Sequence, residues 1–131
     1  MMNFLLFQKL SNKMSKISEL SLTKIVSGIK KKDFSSEEVT KSFIGSSIKS
    51  KKLNTYITEC FDQALKFSKN FDKKKDYKGL LSGVPIAVKD LFCTKSVKTT
   101  ADSKILHNFI PTYESTVTNN LWSQGAFLLG K

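Results

Sequence analysis

The stretch SGVPIAVKD, residues 82–90, decides the fold. Val84, Ile86, Ala87 and Val88 follow a glycine and flank a proline, and they read as a short buried strand over 84–88. Lys89 falls at the C-terminal end of that strand. In open α/β sheets, ligands gather outside the carboxyl ends of the strands. A lysine held there and partly desolvated loses the advantage of its charged form, so its pKa falls. The neutral amine can then act as a base. The plainer alternative is a lysine that bends its head into water, as most lysines after a strand do.

C-terminal to the strand lies a long polar segment, Thr94–Pro111, containing Thr99, Thr100 and Ser103. A loop of that length near a strand end is often functional. Ser115 then caps a helix carrying Val117, Leu121 and Trp122, and Gly125 has the position of its C′ residue. Ala126–Leu129 reads as a second buried strand. Strand, loop, helix and strand make a βαβ unit, which implies a parallel pair with a right-handed crossover. The sequence stops at Gly130-Lys131, directly after that strand. A parallel sheet needs more than two strands and cover on both faces, so the core reads as cut off.

On the N-terminal side, helices dominate. Ser21 caps one with apolar positions Leu22, Ile25, Val26 and Ile29, and Gly28 weakens its end. Ser35 and Glu38 have the spacing of a capping box, opening a helix with Val39, Phe43, Ile44 and Ile48 on one side. Leu53–Thr58 alternates loosely and reads as a short strand. Phe61–Asn70 reads as a helix with Ala64, Leu65 and Phe67 turned partly inward, followed by a loop over Asp72–Gly79. The fold class is α/β: N-terminal helices, then the start of a mixed, largely parallel sheet covered by helices. Residues 14–78 form the helical segment and 79–131 an incomplete α/β core. MMNFLLFQKL, at residues 1–10, is too short for a signal-peptide core or a membrane span. Met14 is expected to be the true start, with residues 1–13 extra or disordered.

The chain has 131 residues, 40% of them hydrophobic, including ten phenylalanines, enough for one domain with a real core. The net charge is +11, and all 22 basic residues are lysine. Arginine supplies the bidentate forks that read base edges and clamp phosphates, so this excess argues for nonspecific attraction at most. The runs Lys30–Lys32 and Lys73–Lys75 sit in apparent turns and are best read as solvated. Cys60 and Cys93 are too far apart in sequence for a CxxC metal site or a disulfide framework, and reduced thiols are the default. His107 alone cannot build a histidine-rich metal centre and lies in a polar connection, which favours a surface role.

SGVPIAVKDLFCTKSVKTTADSKIL, followed by PTYESTVTNNLWSQGAFLLGK, resembles the amidase signature family. Within it the resemblance is closest to the branch formed by the A subunits of aspartyl/glutamyl-tRNA amidotransferases, and it runs from about Met14 to Lys131. SLTKIVSGIKKKDFSSEEVT is similar to the first two helices of that branch, and Cys93-Thr94-Lys95, Thr99-Thr100 and Ser103–Leu106 point the same way. The family uses a serine nucleophile, a bridging serine and a lysine, and Lys89 matches the lysine. The resemblance implies glutamine hydrolysis through that relay, with ammonia passed on to amidate Glu-tRNA(Gln) or Asp-tRNA(Asn). It implies the B and C subunits of the amidotransferase as partners and glutamine as substrate, with mischarged tRNA reached through the complex. It implies a cytoplasmic setting without membrane or DNA. No cofactor is expected on this chain, and ATP and magnesium belong to the partner.

Two departures matter. Leu91 follows Asp90 where the branch usually has asparagine. The glycine- and serine-rich signature that carries both serines has no match among residues 1–131: Ser46-Ser47 lies within a helix and Ser103 in the long loop. One catalytic group of three is therefore present, and the 131 residues alone are expected to be inactive. Two other readings stay open: a general amidase acting on a small amide, and a noncatalytic remnant that serves as a binding module.

Overall fold

The structure is a computed structural model and describes residues 17–131. The expectations placed on residues 1–13 and on Met14 as the start lie outside the described residues.

Helix α1 (Leu22–Lys31) begins where the Ser21 hydroxyl accepts from the Lys24 N–H, and it ends at Lys32 in the left-handed region. Helix α2 (Ser36–Lys49) opens with the expected capping box. Ser35 Oγ accepts from the Glu38 N–H at 3.0 Å, and Glu38 Oε2 accepts from the Ser35 N–H at 2.8 Å. The two remaining first-turn donors, the N–H groups of Ser36 and Glu37, each donate to the Asp72 carboxylate at 2.9 Å. All the donors that a helix N-terminus leaves unpaired are thus satisfied, half of them from a distant element.

That distant element is helix α3 (Phe61–Lys74), which corrects the expected loop over Asp72–Gly79. The helix continues past Asn70 because its inward stripe continues, through Ala64 and Ser68 to Phe71, whose ring meets Tyr77 edge-on at 5.5 Å. It stops at Lys75, which is left-handed. Phe67 is half exposed and stacks on Phe127, while Ser68 takes the buried position. Ile48 of α2 is likewise exposed, so only the first part of that apolar side is core.

The expected strand over Leu53–Thr58 does not form. A short 3-10 turn, Lys51–Leu53, ends at left-handed Asn54, and the residues beyond it pair with the end of the chain instead. The N–H groups of Ile57 and Thr58 donate to the Lys131 carbonyl, and the Lys131 N–H donates to the Thr58 carbonyl at 2.8 Å. Glu59 makes a single antiparallel bridge to Gly130.

The parallel pair is present. Strand β1 (Pro85–Ala87) runs beside β2 (Phe127–Gly130), with helix α4 (Thr116–Ser123) between them in sequence. Ser115 caps α4 through its hydroxyl, and Gly125 follows the helix with φ +84°. Both strands differ slightly from the apolar runs that announced them. Val84 is spent on a turn, its N–H donating to the Leu81 carbonyl, so β1 starts one residue later. The register is Pro85 with Phe127, Ile86 with Leu128 and Ala87 with Gly130, so β2 carries one extra residue at Leu129.

Val84 belongs to the same buried cluster as Ile25, Ile29 and Val39, so the core runs across the 78/79 division. Phe43 of α2 touches both this cluster and a second one of Ala64, Phe127 and Leu129. Ser36 Oγ donates to the buried Gly83 carbonyl at 2.6 Å, tying the start of α2 to the entry of β1. The entry of β1 is therefore tied to the helical layer.

Candidate active site

The end of β1 is anchored on both sides of Lys89. The Val88 N–H donates to the Gly130 carbonyl at 3.0 Å, and the Asp90 carbonyl accepts from the Ala101 N–H at 2.8 Å. Asp90 is buried, and its Oδ2 accepts from both the N–H (2.9 Å) and the hydroxyl (2.5 Å) of Thr100. The long polar segment is held against the strand end by these bonds, not by regular structure.

Burial alternates along the strand end: Ala87 and Lys89 are exposed, Val88 and Asp90 buried. This is the two-residue alternation of an extended chain. Lys89 stands at the strand end as expected, on the wall of a cavity of about 370 Å³ shared with Tyr56, Ile57, Ala101 and Asp102. The desolvation expected for it is not met, because its side chain is on the open side.

The desolvated lysine is Lys131, a residue not singled out from the sequence. Its side chain is fully buried, and its ammonium donates to the Phe92 carbonyl at 2.7 Å and to Thr99 Oγ1 at 2.5 Å. Asp90 Oδ1 lies 3.8 Å from it. That oxygen is buried without a hydrogen-bond partner, so the neighbouring ammonium balances its charge. Burial pulls the Lys131 pKa below the usual lysine value; the nearby Asp90 carboxylate opposes this, and Cys93, Cys60 and Glu114 oppose it further. A signal for Lys131 was available: AFLLGK repeats the pattern of PIAVKD, an apolar strand ended by lysine.

The remaining candidates separate cleanly. Ser46 Oγ donates to Ser18 Oγ, and Ser47 Oγ donates to the Phe43 carbonyl within α2, so neither faces the cavity. His107 is exposed with Nδ1 against the Lys104 carbonyl, the surface role expected of it. Cys60 and Cys93 are free thiols, and no group of three metal-ligating side chains exists among the described residues. Among the described residues no helix is long and apolar enough to cross a membrane.

Residues 38–131, most of the chain, match the amidase family model. The chain belongs to the amidase family. It is 64% identical over 118 residues to the A subunit of a glutamyl-tRNA(Gln) amidotransferase from Pelagibacter ubique (strain HTCC1062), a match that covers 90% of this chain and 24% of that protein. Against the protein of the same name from Hyphomonas neptunium (strain ATCC 15444) the identity is 46% over 120 residues, with the same coverage. Among solved structures, a fatty acid amide hydrolase superimposes with a TM-score of 0.80 at 27% identity, covering 88% of this chain and 21% of that one. The amidase-type α/β architecture expected from the sequence is therefore present, and the chain spans about a quarter of the length of the curated relatives it matches.

Proposed function

We propose that these residues form the part of an amidotransferase A subunit that carries the lysine base of glutamine hydrolysis. The observation that carries this is Lys89 at the end of β1, on the wall of the cavity, in a chain 64% identical to a protein of that name. In the relay, neutral Lys89 accepts a proton from the bridging serine, which accepts one from the nucleophilic serine. The nucleophile attacks the side-chain amide of glutamine, ammonia leaves, and water hydrolyses the acyl-enzyme. Neither serine is among residues 1–131, so the 131-residue chain alone hydrolyses no glutamine. The segments that carry the serines close over the open side of Lys89 and supply the desolvation that a neutral amine needs.

The ammonia passes to the B subunit, where a glutamate or aspartate mischarged onto tRNA is amidated after ATP, with magnesium, activates its carboxylate. The C subunit completes the assembly. Lys89→Ala in the full-length protein, in complex with its partners, should lower glutamine hydrolysis by a factor of about 10² to 10⁴, the usual contribution of a positioned base. Circular dichroism should be unchanged, and ammonium salts supplied directly should still support amidation of tRNA. Near-normal glutamine turnover in that variant would remove Lys89 from the mechanism.

A further inference from the structure

Two lysines end two adjacent strands, and only one of them has an exposed side chain. Lys131 lines the same cavity, yet its side chain has no exposed surface: its ammonium makes hydrogen bonds to the Phe92 carbonyl and Thr99 Oγ1, with Asp90 beside it. Phe92, Thr99 and Asp90 all belong to the chain that leaves Lys89. The Phe92 N–H donates back to the Lys89 carbonyl at 3.1 Å, closing a turn over Lys89-Asp90-Leu91-Phe92. The ammonium holds the far end of that turn through the Phe92 carbonyl, and it holds the polar segment through Thr99. Thr100, the next residue, holds the middle of the turn through Asp90.

From these contacts we infer that Lys131, with Thr99 and Asp90, is a positioning device for Lys89: a buried cation that fixes the backbone of the turn on which the base is mounted. The inference rests on the role proposed above for Lys89. An enclosed charge is costly unless it is paired and hydrogen-bonded. Here it is both, so its removal frees the turn as well as leaving Asp90 unbalanced. Displacing a catalytic group by about 1 Å can cost about 10²-fold in rate. In this role Lys131 takes no proton, because its ammonium is enclosed and already donates to the Phe92 carbonyl and Thr99 Oγ1.

The experiment uses the full-length protein in complex with its partners and reads steady-state glutamine hydrolysis across pH. Thr99→Val keeps every charge and removes the hydroxyl that accepts from Lys131 and donates to the Val97 carbonyl. It should lower kcat by about 10- to 100-fold, leave KM for glutamine within about twofold, and leave the pH midpoint of the rate where it was. Thr99→Ser restores the hydroxyl and should restore kcat. Lys131→Met should show the same split at least as strongly; the threonine pair carries the test should that variant fail to fold. Thr99→Val with wild-type kcat overturns the inference, as does a loss that Thr99→Ser fails to rescue. A Lys131→Met enzyme that is folded and has lost the basic dependence of the rate overturns it differently, by making Lys131 the titrating base. Failure of the underlying assignment shows separately, as retained hydrolysis in Lys89→Ala while Thr99→Val still behaves as described.

Discussion

Asp72→Ala tests how the helical layer is tied to the entry of the strand that precedes Lys89. The Asp72 carboxylate accepts from the N–H groups of Ser36 and Glu37, both at 2.9 Å, and it comes from α3, 35 or more residues away in sequence. Hydrogen bonds to charged groups contribute about 1.5–3 kcal/mol each. A carboxylate at a helix N-terminus adds about 0.3–1 kcal/mol through the helix dipole. Both amides are only partly buried, so water replaces part of what is lost, and the net local cost is about 2–3 kcal/mol. At about 1.4 kcal/mol per factor of ten, this is a rise of about 30- to 140-fold in the opening equilibrium of the first turn of α2. Amide hydrogen exchange on the intact protein, read by mass spectrometry over residues 35–41, measures it directly. Asp72→Asn keeps one carbonyl oxygen and should recover about half of the loss in free energy. Ser36 also holds the Gly83 carbonyl, so exchange should rise at the entry of β1 as well. If Asp72→Ala leaves the first turn of α2 protected to within about threefold, the cap from α3 contributes little and the coupling of the layers must lie elsewhere.

Gly130→Ala would place a Cβ 2.7 Å from the Tyr56 ring and 3.0 Å from the Thr58 carbonyl, so either Tyr56 or the pairing of Thr58 with Lys131 must move. Overpacking of this kind costs about 1–3 kcal/mol, and a lowered thermal midpoint is expected; in the full-length complex, under the role proposed for Lys89, KM for glutamine should change as well, since Tyr56 shares the cavity wall with Lys89. An unchanged midpoint would show that the ring yields freely. Burial pushes the Cys60 thiol above its usual pKa, with Lys131 opposing. A raised pKa leaves less thiolate at any pH below it. Alkylation of Cys60 by iodoacetamide should therefore be slower in the native protein than in the denatured chain, and its pH midpoint should be higher; equal midpoints would contradict the assignment.

What the sequence made legible were the features whose cause is local. Ser21, Ser35 with Glu38, and Ser115 all cap as their spacing indicates, because a cap needs only a hydroxyl or carboxylate a few residues from the amide it serves. The parallel pair was legible for a similar reason: two apolar runs joined by a capped helix leave few other arrangements. The end of α3 was not legible, because three consecutive lysines resemble a loop. What extends the helix is Phe71 packing inward and Asp72 reaching α2, and both partners are distant in sequence. The 53–58 segment failed in the opposite sense. Its residues suit a strand, yet the ladder available to it is only the short stretch at Gly130 and Lys131.

The fates of the two lysines turn on one residue of register. Ala87 pairs with Gly130, and extending that register sets Val88 beside Lys131; Val88, Asp90 and Lys131 are buried while Lys89 is exposed. The pairing begins as Pro85 with Phe127 and Ile86 with Leu128. Continued without the irregularity, it would set Ala87 beside Leu129, and so Lys89 beside Lys131 on the same face. Two ammonium groups would then compete for one side of a parallel pair, either both solvated or both buried around a single carboxylate. The extra residue in β2 separates them, since a shift of one residue turns a side chain to the opposite face. One lysine is thereby enclosed and bound, and the other is left exposed. Neither AFLLGK nor PIAVKD encodes that difference alone, because it exists only in how the two strands are laid side by side.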